Sequence, residues 1–259
     1  MRPFINVFGI GIPSYGLLNA LGISAGIVIA VLRAEHNKRE DVFYCCLFGV
    51  IGVGVGAAAL HFLINIPLLI STAELIGREG FFVWLSQAYG LVFYGGLFGG
   101  ILGAFIYCKA FKIEFWPLFE TIVPSIPLMH SIGRIGCFMA GCCFGIPWSG
   151  RLAVTFSESL GAPNGIGLFP VQLLEAGLLM ALFIVMLVYA RRPRPRGSVT
   201  GLYLLIYAFI RLITERFRWD EARRFFLGVS TSQWISLILI PVSLCLLIIP
   251  RISAGKRRQ

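Results

Sequence analysis

Residues 171–196 read VQLLEAGLLMALFIVMLVYARRPRPR, and this stretch decides the fold. From Val171 to Tyr189 only Gln172 and Glu175, both near the start, interrupt an apolar run. A helix of about 20 such residues crosses the roughly 30 Å hydrocarbon core of a bilayer. Backbone groups cannot stay unpaired in lipid, so the run is a helix rather than an open strand. Arg191, Arg192, Arg194 and Arg196 follow it directly, and clustered cations of this kind mark the cytoplasmic end of a span.

Working outward, six further stretches meet the same criterion: Tyr15 to Leu32, Val42 to Ile70, Gly90 to Tyr107, Pro117 to Ile132, Gly201 to Phe217 and Ser232 to Ile249. The second is long enough to tilt or overrun the bilayer, and the fourth is short and ends in a glycine-rich turn. The chain is therefore expected to be an all-α polytopic membrane protein with seven transmembrane helices, forming a single domain over residues 1–259. Composition agrees: 58% of the residues are hydrophobic, 13% are charged, and the mean hydropathy is +0.85. A soluble domain has about 25% charged residues, so a soluble monomer is excluded, as are disorder and a secreted disulfide scaffold.

The formal charge of +10 is explained by its arrangement. Arg33, Lys38 and Arg39, then Lys109 and Lys112, then the four arginines after Tyr189, then Arg251, Lys256, Arg257 and Arg258 all fall on one side of a seven-span chain. That side is the cytoplasm, which puts the N-terminus outside and the C-terminus inside. No nucleic-acid partner is expected from a charge distributed in this way. The remaining cations, Arg2, Arg78, Arg134, Arg151, Arg211, Arg216, Arg218, Arg223 and Arg224, include no lysine. Guanidinium forks suit phosphate and carboxylate, so an all-arginine minority on the charge-poor side points to function.

The N-terminus carries one basic residue, no clear small-residue cleavage site and a polar interruption at Pro13-Ser14-Tyr15, so it is read as retained. Residues 145–170, the longest non-spanning stretch, are too few for an independent domain and suit a small extracytoplasmic cap. Gly52 and Gly56, with Gly95, Gly99 and Gly103, recur at spacing four, the pattern by which membrane helices approach closely. At Tyr94-Gly95-Gly96 a hydroxyl precedes two bare backbone positions that suit an anionic headgroup.

Ionisable residues inside spans are costly and mark function. Three groups stand out. His130, Arg134 and Cys137 share one face if residues 130–137 are helical, setting a titratable base beside a fixed cation. Tyr207, Arg211, Glu215 and Arg218 form a polar stripe along the sixth helix, in which an Arg211–Glu215 pair is as consistent with a structural staple as with a site. Gln172 and Glu175, and Glu120 in the fourth helix, read as interhelical hydrogen-bonding groups. Cys45, Cys46, Cys108 and Cys245 read as small packing residues. Cys137, Cys142 and Cys143 do not follow the paired spacing of zinc ligands, so no metal or other cofactor is expected. If oxidised, Cys137 would pair with Cys142 or Cys143 rather than the two neighbours with each other.

These residues resemble the bacterial prolipoprotein diacylglyceryl transferases, and the resemblance runs in order along nearly the whole chain. Ser14-Tyr15-Gly16-Leu17 is similar to the family's Trp-Tyr-Gly-Leu, and Phe93-Tyr94-Gly95-Gly96-Leu97 to its Phe-His-Gly-Gly-Leu. Glu120 stands at an acidic position, and Gly133-Arg134-Ile135-Gly136 opens the family signature. Phe169-Pro170-Val171-Gln172-Leu173-Leu174-Glu175 resembles His-Pro-Ser-Gln-Leu-Tyr-Glu. Tyr207, Arg211, Glu215, Phe217, Arg218 and Asp220 follow the family's sixth-helix pattern, and Ser232-Gln233 resembles its Gly-Gln. The sequence departs where Cys137 and Ala140 replace two signature asparagines, Cys142 replaces its glutamate, and Tyr94 replaces the histidine of His-Gly-Gly.

The resemblance implies a multi-pass protein of the bacterial inner membrane that moves diacylglyceryl from phosphatidylglycerol to the lipobox cysteine of a prolipoprotein. Under that reading Arg134 and Arg211 hold the phosphate, and His130 or Tyr94 takes the thiol proton. Glu215 orients Arg211, while Tyr15, Gly95, Gly96, Gly133, Gln172 and Tyr207 line the headgroup pocket. The competing readings are a lipid-binding or transport protein on the same fold, a transferase with another acceptor thiol, and a redox or metal protein built on the three cysteines.

Overall fold

The computed structural model describes residues 3–7, 10–73, 93–219 and 225–256. Arg2, Arg78, Asp220, Arg223, Arg224, Arg257 and Arg258, and the first three residues of the third expected span, lie outside them. Among the described residues six helical stretches are long and apolar enough to cross a membrane: Ser14–Arg33, His36–Ile66, Phe115–Ala140, Val171–Tyr189, Ser198–Glu215 and Thr231–Ile249. The third expected span appears as the 18-residue helix Phe93–Ala110. The chain divides into two compact units, Arg33–Phe119, and Met1–Leu32 with Glu120–Gln259.

In the Arg33–Phe119 unit a 3-10 turn at His36–Lys38 leads into α2 (Arg39–Ala73), which packs on α3 (Phe93–Ala110). At 1.5 Å per residue α2 is about 52 Å long, well beyond the hydrocarbon thickness. The glycines at spacing four do what their spacing predicts. A Cβ on Gly52 would fall on the Gly99 carbonyl, one on Gly56 on the Gly95 carbonyl, and one on Gly103 on the Phe48 carbonyl. Lipid gives helices no hydrophobic drive to associate, so this backbone approach supplies the dispersion that holds the pair. Near the far end of α3 the Tyr107 hydroxyl donates to Asp41 Oδ1 at 3.0 Å.

The other unit opens with a hairpin, β1 (Phe4–Val7) against β2 (Ile10–Pro13), that feeds α1 (Ser14–Arg33). The fourth span corrects the sequence expectation. It does not stop at Ile132 but continues as α4 (Phe115–Ile122), a 3-10 turn at Val123–Ser125 and α5 (Ile126–Ala140). Pro124, lacking an N–H, accounts for the break. Gly133 and Gly136 read as a turn in sequence but serve the helix, because α1 lies against them. A Cβ on Gly136 would sit 3.4 Å from the Tyr15 backbone, and one on Gly133 3.0 Å from Asn19 Oδ1. The helix ends at Gly141, whose φ of 73° is costly for other residues.

Residues 141–170 link the helical stretches Phe115–Ala140 and Val171–Tyr189. They hold the hairpin β3 (Val154–Thr155) with β4 (Gly167–Leu168) and a small core of Phe144, Phe156, Ala162 and Leu168 under Phe138. Then follow α6 (Val171–Tyr189), α7 (Ser198–Glu215), the hairpin β5 (Phe225–Phe226) with β6 (Val229–Ser230), and α8 (Thr231–Lys256). The three hairpins depart from an all-helical chain, and each lies outside the helical spans. Helices α5, α6, α7 and α8 pack in sequence order. Glu120 explains how α7 begins. Its Oε1 accepts from the backbone N–H of Val199 at 3.0 Å and of Thr200 at 3.5 Å, capping a helix end that has no side-chain cap of its own.

Candidate active site

Because residues 130–137 are helical, His130, Arg134 and Cys137 share one face of α5. Ser131 Oγ donates to the Ala176 carbonyl at 2.8 Å and ties α5 to the first turns of α6, which carry Gln172 and Glu175. Helix α7 brings Tyr207, Arg211 and Glu215 to the same place, with Arg218 just beyond its end.

A buried ionic network results. Arg134 Nη2 lies 3.0 Å from Glu175 Oε1, and Arg211 Nη1 lies 3.6 Å from Glu175 Oε2. Arg211 Nη2 lies 2.9 Å from Glu215 Oε2, with Arg218 Nη1 3.9 Å from the same oxygen. Arg211 Nη2 also donates to Ser232 Oγ at 2.8 Å. Glu175 is 2% exposed and Glu215 3%. Charges buried this deeply are tolerated only when paired. Arg134 and Arg211 share Glu175, and Arg211 and Arg218 share Glu215, so guanidinium forks converge on one buried place that suits an anionic group. Arg134 Nε and Gln172 Oε1 are buried without hydrogen-bond partners among the described residues, so donor and acceptor capacity remains for a polar guest.

The His130 ring lies 5.5 Å from that of Tyr207, which stacks in turn on Tyr203. Tyr15, on the first turn of α1, borders the site from the Gly136 side and is 47% exposed. Gly133 serves the α1 contact. Gln172 Nε2 donates 2.9 Å to the Cys142 carbonyl and so fixes the turn after α5. The structure thus brings Tyr15, His130, Gly133, Arg134, Gln172, Tyr207, Arg211 and Glu215 into one unit. Tyr94, Gly95 and Gly96 belong to the other, where both glycines are buried against α2.

Two features escaped the sequence reading. Glu175 is the carboxylate that joins Arg134 to Arg211, a role that its place one turn into α6 did not reveal. The sulfurs of Cys137, Cys142 and Cys143 all lie within 4.8 Å of one another, because the left-handed residues Gly141 and Cys143 fold the chain back on the end of α5. Hydrogen bonds from the Cys137 and Cys142 thiols, with Arg134 and Arg218 nearby, hold the Cys143 thiol below the ordinary thiol range.

Comparison with known proteins bears on the chain as a whole. The family model described as prolipoprotein diacylglyceryl transferase matches residues 3–249. A phosphatidylglycerol–prolipoprotein diacylglyceryl transferase of Clostridium tetani is 32% identical over 247 residues, covering 94% of this chain and 96% of the relative. One of Pasteurella multocida is 31% identical over 262 residues, covering 96% and 92%. Enzyme 2 of that name from Clostridium perfringens is 29% identical over 236 residues, covering 90% and 89%. A likeness that runs from the first hairpin to the last helix includes every element that builds the arginine network, and the chain belongs to the prolipoprotein diacylglyceryl transferase family.

Proposed function

We propose that this protein transfers the diacylglyceryl group of phosphatidylglycerol to the cysteine thiol of a prolipoprotein. The observation that carries the reading is the buried network in which Glu175 joins Arg134 to Arg211. A phosphodiester headgroup is an anion of the shape that paired guanidinium forks hold well. Arg134 and Arg211 hold the phosphate and neutralise the charge that grows on departing glycerol phosphate, work that preorganised cations do best in a dry site. Glu175 and Glu215 hold the two guanidiniums in position and lower the cost of burying them. Tyr15, Gly133, Gln172 and Tyr207 line the headgroup pocket.

The acceptor thiol reacts as thiolate, so a base must take its proton. His130 or Tyr94 fills that role. The sulfur attacks the glyceryl carbon that bears phosphate, and the C–O bond breaks with its electron pair leaving on phosphate. The chain crosses the bacterial inner membrane seven times, N-terminus outside and C-terminus in the cytoplasm. The distribution of lysine and arginine supports this topology and sets the cap outside.

The test uses purified protein in phosphatidylglycerol liposomes with a lipobox peptide, read by mass spectrometry for diacylglyceryl addition. Addition is expected, and it is lost with Arg134→Ala. Comparing His130→Ala with Tyr94→Phe identifies the base. Phosphatidylglycerol bound without turnover would overturn the reading in favour of a lipid-binding protein.

A further inference from the structure

The cluster of Cys137, Cys142 and Cys143 has geometry that the linear spacing hides. A zinc ion about 2.3 Å from each of three sulfurs sets those sulfurs roughly 3.8–4.0 Å apart. The three Sγ atoms already lie within 4.8 Å of one another, so small rotations about Cα–Cβ close the site. Among the described residues no histidine or carboxylate joins the cluster. Three protein ligands with an open fourth position are the pattern of reactive rather than structural zinc. The backbone is held for the purpose: Cys142 N–H donates to the Cys137 carbonyl at 3.1 Å, and Gln172 holds the Cys142 carbonyl. Soft thiolates select closed-shell thiophilic ions such as zinc. Three thiolates on zinc carry one net negative charge, and Arg134 and Arg218 are close enough to offset it electrostatically.

We infer that Cys137, Cys142 and Cys143 bind one zinc ion whose open position takes the acceptor cysteine of the substrate. The catalytic half of this inference rests on the transferase reading, whereas the metal site rests on the sulfur geometry alone. A thiol that coordinates zinc is deprotonated. The acceptor S–H gives up its proton, through the base named above, to water. The zinc-bound sulfur then forms the S–C bond as the C–O bond to phosphate breaks, and glycerol phosphate leaves with that electron pair. No electrons are exchanged with an oxidant or reductant. At neutral pH a free thiol is a few per cent thiolate, so complete deprotonation raises the nucleophile roughly thirtyfold. The lower reactivity of a less basic sulfur takes part of this back, leaving roughly tenfold.

The experiment loads the full chain, reduced and in lipid, with zinc and, separately, with cobalt. One zinc per chain is expected after dialysis, lost in Cys143→Ser and kept in Cys245→Ser. Cobalt is expected to show sulfur-to-metal charge transfer that strengthens when a lipobox peptide is added and does not when its cysteine is serine. Should Cys143→Ser fail to fold, chelation of the unaltered protein followed by zinc return gives the same comparison. Chelation is expected to slow transfer roughly tenfold, and zinc to restore it. Reduced protein that takes up no zinc, a cobalt spectrum indifferent to the peptide thiol, or full transfer after chelation would overturn the inference, the last while leaving the transferase reading intact. Zinc binding with the peptide response, but no transfer by the loaded protein, would instead count against the transferase reading.

Discussion

Replacing Glu175 with glutamine tests whether the ionic network is buried and joined as the structure has it. Glutamine keeps the shape and removes the charge that Arg134 meets at 3.0 Å and Arg211 at 3.6 Å. Arg134 and Arg211 would then both lose the carboxylate they share. Removing one partner of a buried ion pair costs about 3–5 kcal/mol, because the other charge stays desolvated. At about 1.36 kcal/mol per factor of ten, the folded-to-unfolded ratio falls between roughly 150- and 5,000-fold. The companion is the double variant Arg134→Met with Glu175→Leu. It removes the shorter pair as a unit and leaves Arg211 with Glu215 at 2.9 Å and with Ser232. Stability should return to within about 2 kcal/mol of the parent while transfer stays absent. Unfolding of the full chain in mixed micelles, followed by tryptophan fluorescence, gives the stabilities, and mass spectrometry of the lipobox peptide gives the activity. A cost below about 1 kcal/mol for Glu175→Gln, the value of a solvated surface pair, would refute the buried network.

Arg134→Lys keeps the charge but loses the planar fork, and should lower kcat/KM by roughly 30- to 150-fold, equivalent to about 2–3 kcal/mol of hydrogen bonding to phosphate; steady-state kinetics in liposomes measures it. Gly52→Ala forces a Cβ onto the Gly99 carbonyl and should cost about 1–3 kcal/mol, whereas Gly54→Ala, which meets nothing within 4 Å, should stay within about 0.5 kcal/mol. The same unfolding titration separates the two. Glu120→Gln weakens the cap on α7 and should cost about 0.5–2 kcal/mol, seen as a lower thermal midpoint.

The spans were legible in sequence because lipid imposes a simple rule. A backbone that cannot bond to water must bond to itself, so about 20 apolar residues read as a helix whatever their neighbours do. Val171–Tyr189 appears with the predicted boundaries. The glycines of α2 and α3 were legible for a related reason, since a spacing of four puts small residues on one helix face and close approach needs them there. Arg134, Arg211 and Glu215 stood out because charge inside a span demands an explanation.

Only the tertiary structure decided which charges meet. Glu175 stands 41 positions from Arg134 and 36 from Arg211 along the chain, and no local period links them. The packing of α5, α6 and α7 sets the distances. The continuation of the fourth span through Gly133 and Gly136 depended on α1 lying against those glycines, which a sequence of turn-forming residues does not disclose. The three cysteines likewise carry no ligand spacing in the chain. Their sulfurs converge because two left-handed residues reverse the backbone after α5 and the amide of Gln172, from another helix, holds it there. Helix and span follow from solvent and from neighbours in sequence, while a site built across helices follows from contacts between residues far apart in the chain.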